Sequence, residues 1–480
     1  MELLIVITSL IFAALVAIFV KKRAVIEAIS IVASAIIVVE SVIIALKVAA
    51  TGSYEQYSFF SIDSLGSIVM LVIACVDIAA VVYSVQYLRK ETDKNIIGFN
   101  RVKQYFILLN LFSAAMFFAI SASSPIFAWI AIEATTLSTA FLISFYNKPS
   151  AIQGAWKYLI INSVGLLLGF FGTLVYFTSV SLLGETGLIT WQDLLHNASS
   201  MNPLIAKIAF VFALIGYGTK VGFVPMHTWK PSAYGKSPAP IGALFSGALL
   251  PVAFYIILKF KAITDSVVGP EFSSQLLILF GVLSVAVPAF IILIQRDYKR
   301  LLAYSSIENA GMLALGFGFG GIGVMAALLH LIYHSLVKSA LFFLSGNFLL
   351  KYHSAKIANI KYALKVLPVT SVLFIIGVFA CIGMPPFGIF FTKVVIFSAG
   401  IKTWPLVTVM TLIFVSIVFI GFLKHVSSMV FGEKPTDISK GEDSVWLIIS
   451  PLVLIILALI LSFYLPPFLH ILIDNSVLHY

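Results

Sequence analysis

Residues 330–338 read HLIYHSLVK, inside the otherwise apolar run VMAALLHLIYHSLVKSALFFLSG. His330, His334 and Lys338 recur every fourth residue, so on a helix they share one face. At 1.5 Å of rise per residue they form a polar stripe about 12 Å long. Neutral histidine both donates and accepts a hydrogen bond, and its ordinary pKa lies near neutrality. Such a stripe in an apolar helix is suited to passing protons. A lone buried histidine is ordinarily a hydrogen-bonded core residue, but two in register with a lysine go beyond that. Paired histidines four apart can also hold zinc; no carboxylate or cysteine nearby completes a ligand set, so the metal reading is the weaker one.

Three more charges lie in apolar surroundings: Glu133 in FAWIAIEATTLSTAFLI, Lys220 in FALIGYGTKVGFVPMHTW, and Lys393 in CIGMPPFGIFFTKVVIF. An ionisable group at membrane depth costs at least a few kcal/mol unless paired or hydrated, so such groups mark ion pathways. The alternative for each is a snorkelling or capping role near a helix end. Glu308, in SSIEN, is a secondary candidate: it either sits in a cytoplasmic intake channel or caps a helix near its N-terminus, where negative charge is favoured. Gly and Pro flank Lys220 in GYGTKVGFVP and precede Lys393 in GMPPFGIFFTK, interrupting both helices and exposing backbone dipoles.

The elements that must carry these residues are membrane helices. The chain is 61% hydrophobic and 10% charged, with a mean hydropathy of +1.08, against roughly 45–50% apolar and about 25% charged for soluble domains. Taking about 20 apolar residues as one span, we expect an all-α polytopic membrane protein with about 14 transmembrane helices: 2–20, 24–46, 62–84, 104–122, 125–145, 155–180, 204–226, 239–260, 273–295, 300–320, 322–350, 366–395, 404–424 and 445–465. The first lacks a cleavage site and a basic leader, and reads as a retained span. The longest polar connections fall near 85–103 and 425–444. With both termini outside, 22 of the 30 Lys and Arg residues lie on one side and five on the other, which makes the basic side cytoplasmic. The interrupted spans are the seventh and twelfth. Their offset predicts two inverted five-helix repeats, helices 4–8 (104–260) and 9–13 (273–424), within one membrane domain over 1–480.

Composition also excludes. Cys75 and Cys381 are the only cysteines and stand far apart, so no iron–sulfur cluster, zinc cluster or disulfide framework is expected, and no cofactor is assigned. Redox chemistry, if any, sits on another polypeptide. The formal net charge of +10 is scattered through short loops and does not point to nucleic acid.

The segments DSLGSIVMLVIACVDIAAVVYSVQYL, VPMHTWKPSAYGKSPAPIGALFSG, KRLLAYSSIENAGML and HLIYHSLVKSALFFLSG resemble the antiporter-like subunit family shared by respiratory complex I, Mrp-type sodium/proton antiporters and group 4 membrane-bound nickel–iron hydrogenases. The resemblance spans nearly the whole chain. HTWKPSAYG and SSIEN are similar to the hydrogenase-4 component F type. The resemblance implies that Glu133 and Lys220 form an ion pair between helices 5 and 7, that Lys338 with His330 and His334 is the central relay, and that Lys393 is the terminal residue toward the outside. The sequence departs from many relatives at Pro251, where they carry a helix 8 lysine, and at Ser232 and Lys236, where acids are common. With Pro251 in place, a relay from Lys220 has to pass through water, the histidines or another group.

A lysine held beside a carboxylate keeps its proton, and parting the two in a low-dielectric site releases it. We therefore expect a proton (or sodium) translocating subunit of a redox-driven membrane complex in a prokaryotic cell membrane. Its expected partners are other membrane subunits, a peripheral redox arm and the bilayer, with no nucleic acid. A subunit of a secondary Na⁺/H⁺ antiporter is the main alternative. A structural scaffold is a third reading, against which the buried charges argue.

Overall fold

The structure, a computed structural model, describes residues 1–181, 187–431 and 438–479. The helices, in chain order, are α1 (Glu2–Phe19), α2 (Arg23–Thr51), α3 (Ser64–Asp93), α4 (Phe99–Ser121), α5 (Pro125–Ile143), α6 (Pro149–Ser181), α7 (Trp191–His196), α8 (Pro203–Val221), α9 (Lys230–Lys236) and α10 (Ala239–Leu244). After a π-helical turn at Phe245–Leu249 come α11 (Leu250–Val268), α12 (Pro270–Leu293), α13 (Tyr298–Phe319), α14 (Ile322–Tyr352), α15 (Ala363–Val366), α16 (Pro368–Ile382), α17 (Gly388–Thr403), α18 (Pro405–Phe431), α19 (Trp446–Phe463) and α20 (Pro467–Val477). A hairpin of β1 (Ser53–Gln56) and β2 (Phe60–Asp63) joins α2 to α3.

Among the described residues, twelve helices are long and apolar enough to cross a membrane. Two of the expected spans fall outside that set for physical reasons. Helix α13 carries Ser305, Ser306, Glu308 and Asn309 on its length, which lowers its hydropathy. The twelfth expected span is cut into α16 and α17, of 15 and 16 residues. The expected loop at 85–103 is mostly helix, because α3 runs on through Asp93. Arg89 of this stretch binds the buried Glu27 of α2, which Arg23 of α2 also binds. The expected connection at 425–444 lies partly outside the described residues, and its first part continues α18.

The bundle is layered by polarity. The apolar stretch of 239–268 is entirely buried and that of α14 is 94% buried, whereas those of α1, α2 and α18 are only 39%, 39% and 28% buried. Helix α14 packs on α3, α10, α13, α16, α17 and α19, and so forms the axis of the molecule. The polar stripe thus sits where it is furthest from lipid. At one end, the N-terminal amine bonds Tyr54, and His479 lines a cavity with Asp63 and Lys259. Both chain ends therefore share one face of the bundle. Asp63 caps α3 by accepting from the Gly66 N–H at 2.7 Å and pairs with Lys259 at 2.9 Å. Burial alone would raise this carboxyl, but the lysine and the amide together hold it below the usual carboxylate range.

Candidate functional site: a file of buried charges

Both interrupted helices break in the same way. Helix α8 ends at Gly222 with φ +85°, and the chain passes a cis Val224–Pro225 bond before resuming at Met226. Helix α16 ends at Gly383 with φ +86°, and the chain passes a cis Pro385–Pro386 bond before α17. Glycine suits both positions because left-handed backbone costs it no Cβ clash. Each break leaves helix-end carbonyls free at depth in the bundle, and lysines occupy them.

Lys220, 1% exposed, lies in the last turn of α8. Its ammonium donates to Thr136 Oγ1 at 2.8 Å and to the Tyr158 hydroxyl at 2.7 Å. The expected direct pair with Glu133 is not formed. Thr136 stands between them, donating to Glu133 Oε2 at 3.4 Å, while Ser163 donates to Oε1 at 3.0 Å. The reason is direction: Glu133 is only half-buried and leans to the outer flank of α5, beside the exposed Ile130, Leu137 and Phe141, while Lys220 points inward. One hydroxyl thus lies between the two charges, with the Ile132 carbonyl as its other possible acceptor at 3.4 Å.

Direct pairing occurs in the second half. Lys393 of α17 meets Glu308 of α13 at 2.9 Å, with side-chain exposures of 6% and 1%. The capping alternative for Glu308 does not hold. It lies midway along α13, and the cap at Tyr298 is Asp297, which accepts from the Lys299 and Arg300 amides at 2.9 and 3.0 Å. The other Glu308 oxygen accepts from Asn309, whose carbonyl oxygen lies 3.0 Å from His330 Nε2. His330 Nδ1 is 2.9 Å from Thr392 Oγ1, the neighbour of Lys393. The ring has a polar partner on each nitrogen, so a proton arriving at one can leave by the other.

His334 is different. It is fully buried, its ring lies nearly parallel to that of His330 with centroids 6.4 Å apart, and neither nitrogen has a hydrogen-bond partner. Lys338, one turn further, donates to the Leu302 carbonyl at 2.6 Å and to Ser305 Oγ, so α13 holds it as well. The structure brings His330, His334 and Lys338 onto one buried face, as their spacing predicted. Among the described residues, no three His, Cys, Asp or Glu side chains gather as a metal-holding group.

Sequence reasoning missed several buried polar groups. Asp77 of α3 is 1% exposed and accepts from Ser34 and Ser113. Glu91 binds Tyr146 at 2.6 Å and lines a 340 Å³ cleft with Lys148, Lys236, Lys299 and His353. Lys299 is buried and donates to the Ser237 carbonyl at 2.6 Å. Lys230, counted by its sequence context among the loop lysines, is wholly buried and donates to the Val221 carbonyl at 2.7 Å. Glu91 stands in YLRKETD, and Lys230 and Lys299 near a Pro and an Arg, so all three look like surface residues. For Asp77 the signal was present: a carboxylate in the apolar run LVIACVDIAAVV.

Comparison with known proteins gives concordant results. The family described as NADH:quinone oxidoreductase/Mrp antiporter, TM, matches residues 122–420. The chain is 32% identical over 422 residues, 87% of its own length and 84% of the relative's, to a hydrogenase-4 component F homolog of Methylacidiphilum infernorum. It is 27% identical over 345 residues to hydrogenase-4 component B of Escherichia coli, covering 69% of this chain and 49% of that relative. Its fold is similar to a chain of the membrane-bound sulfane sulfur reductase, an archaeal respiratory membrane complex, with a TM-score of 0.86 at 21% identity, covering 100% of this chain and 96% of that one.

Proposed function

The chain belongs to the NADH:quinone oxidoreductase/Mrp antiporter transmembrane family, and from that membership we propose that it carries protons across the membrane along the buried file from Glu133 and Lys220 to Lys393. It is an antiporter-like membrane subunit related to hydrogenase-4 and complex I. The observation that carries the assignment of the path is the buried Glu308–Lys393 pair continued by hydrogen bonds through Asn309 to His330 and Thr392.

In this reading Lys220 takes up a proton from the basic, cytoplasmic side. Thr136 transmits the charge of Glu133 to it. The proton passes along Lys338, His334 and His330, and leaves through Lys393 when Glu308 is drawn away. The parallel breaks at Gly222 and Gly383 support the division into inverted repeats at 104–260 and 273–424. The Lys and Arg asymmetry supports a prokaryotic cell-membrane orientation with both termini outside. Moving one proton against 100 mV costs about 2.3 kcal/mol, and two distant cysteines supply no iron–sulfur ligand set to provide it. Likeness to hydrogenase-4 components supports a peripheral redox arm as the source, with other membrane subunits as neighbours.

The test is Lys220→Ala and Glu133→Ala in the assembled complex, read as proton movement across membrane vesicles. Both should abolish it while assembly persists; wild-type movement in either removes that residue from the path. Nickel and iron in stoichiometric amount with the purified complex would support the redox assignment, and their absence with retained Na⁺/H⁺ exchange would favour the antiporter alternative.

A further inference from the structure

The path has a gap. Lys220 is bonded to Thr136 and Tyr158, Lys338 to Leu302 and Ser305, and no hydrogen bond links the two groups among the described residues. Helix α11 offers nothing ionisable there: its first turn holds Pro251, next to the π turn at Phe245–Leu249. The wider turn lies where the proline ring would otherwise press on the Gly247 carbonyl.

Lys230 occupies the gap. Its aliphatic chain lies over Gly222, where a Cβ would come within 2.7 Å of its Cδ, and its ammonium reaches back to the Val221 carbonyl. The second break repeats this. Lys393 lies over Gly383, with the corresponding Cβ distance 3.3 Å, and its ammonium is 3.5 Å from the Ile382 carbonyl. In each case a lysine beyond the break reaches back to the last carbonyl of the preceding half-helix. One difference separates them: Lys393 has Glu308, whereas Lys230 has the carbonyl and the face of Tyr234 at 5.6 Å.

The surrounding rings fix where Lys230 stands. Tyr234 packs on Phe245 at 5.4 Å and on Phe342 at 5.5 Å. Phe245 packs on Tyr158, whose hydroxyl holds Lys220. Phe342 lies under the Lys338 ammonium at 5.6 Å. Lys230 is therefore flanked by Lys220 on one side and Lys338 on the other, within electrostatic reach of Lys338 and of His334, whose two ring nitrogens are unpartnered. An ammonium buried without a carboxylate is expensive to keep charged. Its neutral amine is a ready acceptor.

We infer that Lys230 is a station of the proton path, receiving a proton from the Lys220 ammonium as a neutral amine and passing it to His334 or to neutral Lys338. The inference rests on the proposed function. No covalent bond changes; one proton moves from nitrogen to nitrogen, and each donor is left neutral to accept the next. Lys230 thus does beyond the first break what Lys393 does beyond the second, and the absence of a carboxylate makes its charged state transient.

The test compares Lys230→Gln, Lys230→Arg and Lys220→Ala in membrane vesicles carrying the assembled complex. Gln still donates to the Val221 carbonyl, and Arg keeps both donors and charge but never gives up its proton. A structural role tolerates one or the other; a relay tolerates neither. We expect both Lys230 variants to assemble and to move protons at least tenfold more slowly than wild type. Wild-type rates in either, with Lys220→Ala inactive, overturn this inference and leave the proposed function standing. Wild-type rates in all three overturn both. Failure of both Lys230 variants to assemble assigns the residue to folding and also overturns the inference.

Discussion

Replacing Glu308 with Gln separates what the pair contributes to the fold from what it contributes to transport. Lys393 and Glu308 are 2.9 Å apart and almost wholly buried. At an effective dielectric constant of about 20, unit charges at that separation attract by about 6 kcal/mol. Most of this offsets the desolvation of the two groups, so the pair contributes little net stability, whereas removing one partner strands the other and costs about 3–5 kcal/mol. Glu308→Gln should therefore lower the temperature at which the solubilised complex loses integrity, and it should stop proton movement. Glu308→Gln combined with Lys393→Met removes both charges at similar volume. It should recover most of the stability and none of the transport. Stability measured by thermal challenge in detergent and transport measured in vesicles thus part company in the double variant. A double variant that moves protons at the wild-type rate would falsify the assignment of the pair to the path, and an unperturbed single variant would mean that the two side chains do not meet in the membrane.

Thr136→Val removes the hydroxyl between Glu133 and Lys220 and leaves both charges in place. Hydrogen bonds to charged groups contribute about 1.5–3 kcal/mol, so proton movement should fall by roughly ten- to a hundredfold, whereas Thr136→Ser should be close to wild type; equal rates for Val and Ser would show that the bridge is idle. His330→Leu and His334→Leu should each slow transport, and the double replacement should be worse than the product of the two, because water can bridge one missing ring on this face between the remaining polar groups but not both. Independent effects would point to separate packing roles, and zinc found in stoichiometric amount with the purified protein would overturn the relay.

The legible part of this molecule was what periodicity and hydropathy carry. His330, His334 and Lys338 could be placed on one face because their spacing alone decides it, and the broken spans were visible because Gly and Pro act locally. Partnership was not legible. Lys393 and Glu308 are 85 residues apart, on helices whose adjacency no local pattern encodes. The direct Glu133–Lys220 pair that the family resemblance implied is likewise replaced by a contact through Thr136, a geometry no local pattern encodes. Lys230 was hidden for another reason. In HTWKPSAYGK it stands near a proline and a second lysine, and a short stretch of that kind reads as a loop; only the turn at Gly222 folds it back into the bundle. Helix α13 fell short on hydropathy because it carries the polar groups that the file of charges needs.

Glu133 stands at the border of the subunit, half-buried on a flank of exposed Ile130, Leu137 and Phe141. In a bilayer such a flank meets either acyl chains or another polypeptide. The bonds that Glu133 receives from within the subunit come from Ser163 and Thr136, so a neighbouring subunit at this flank would lie beside the same carboxylate that Thr136 joins to the Lys220 site. The same polypeptide alone in lipid and docked in an assembly would therefore present different surroundings to one end of the charge file.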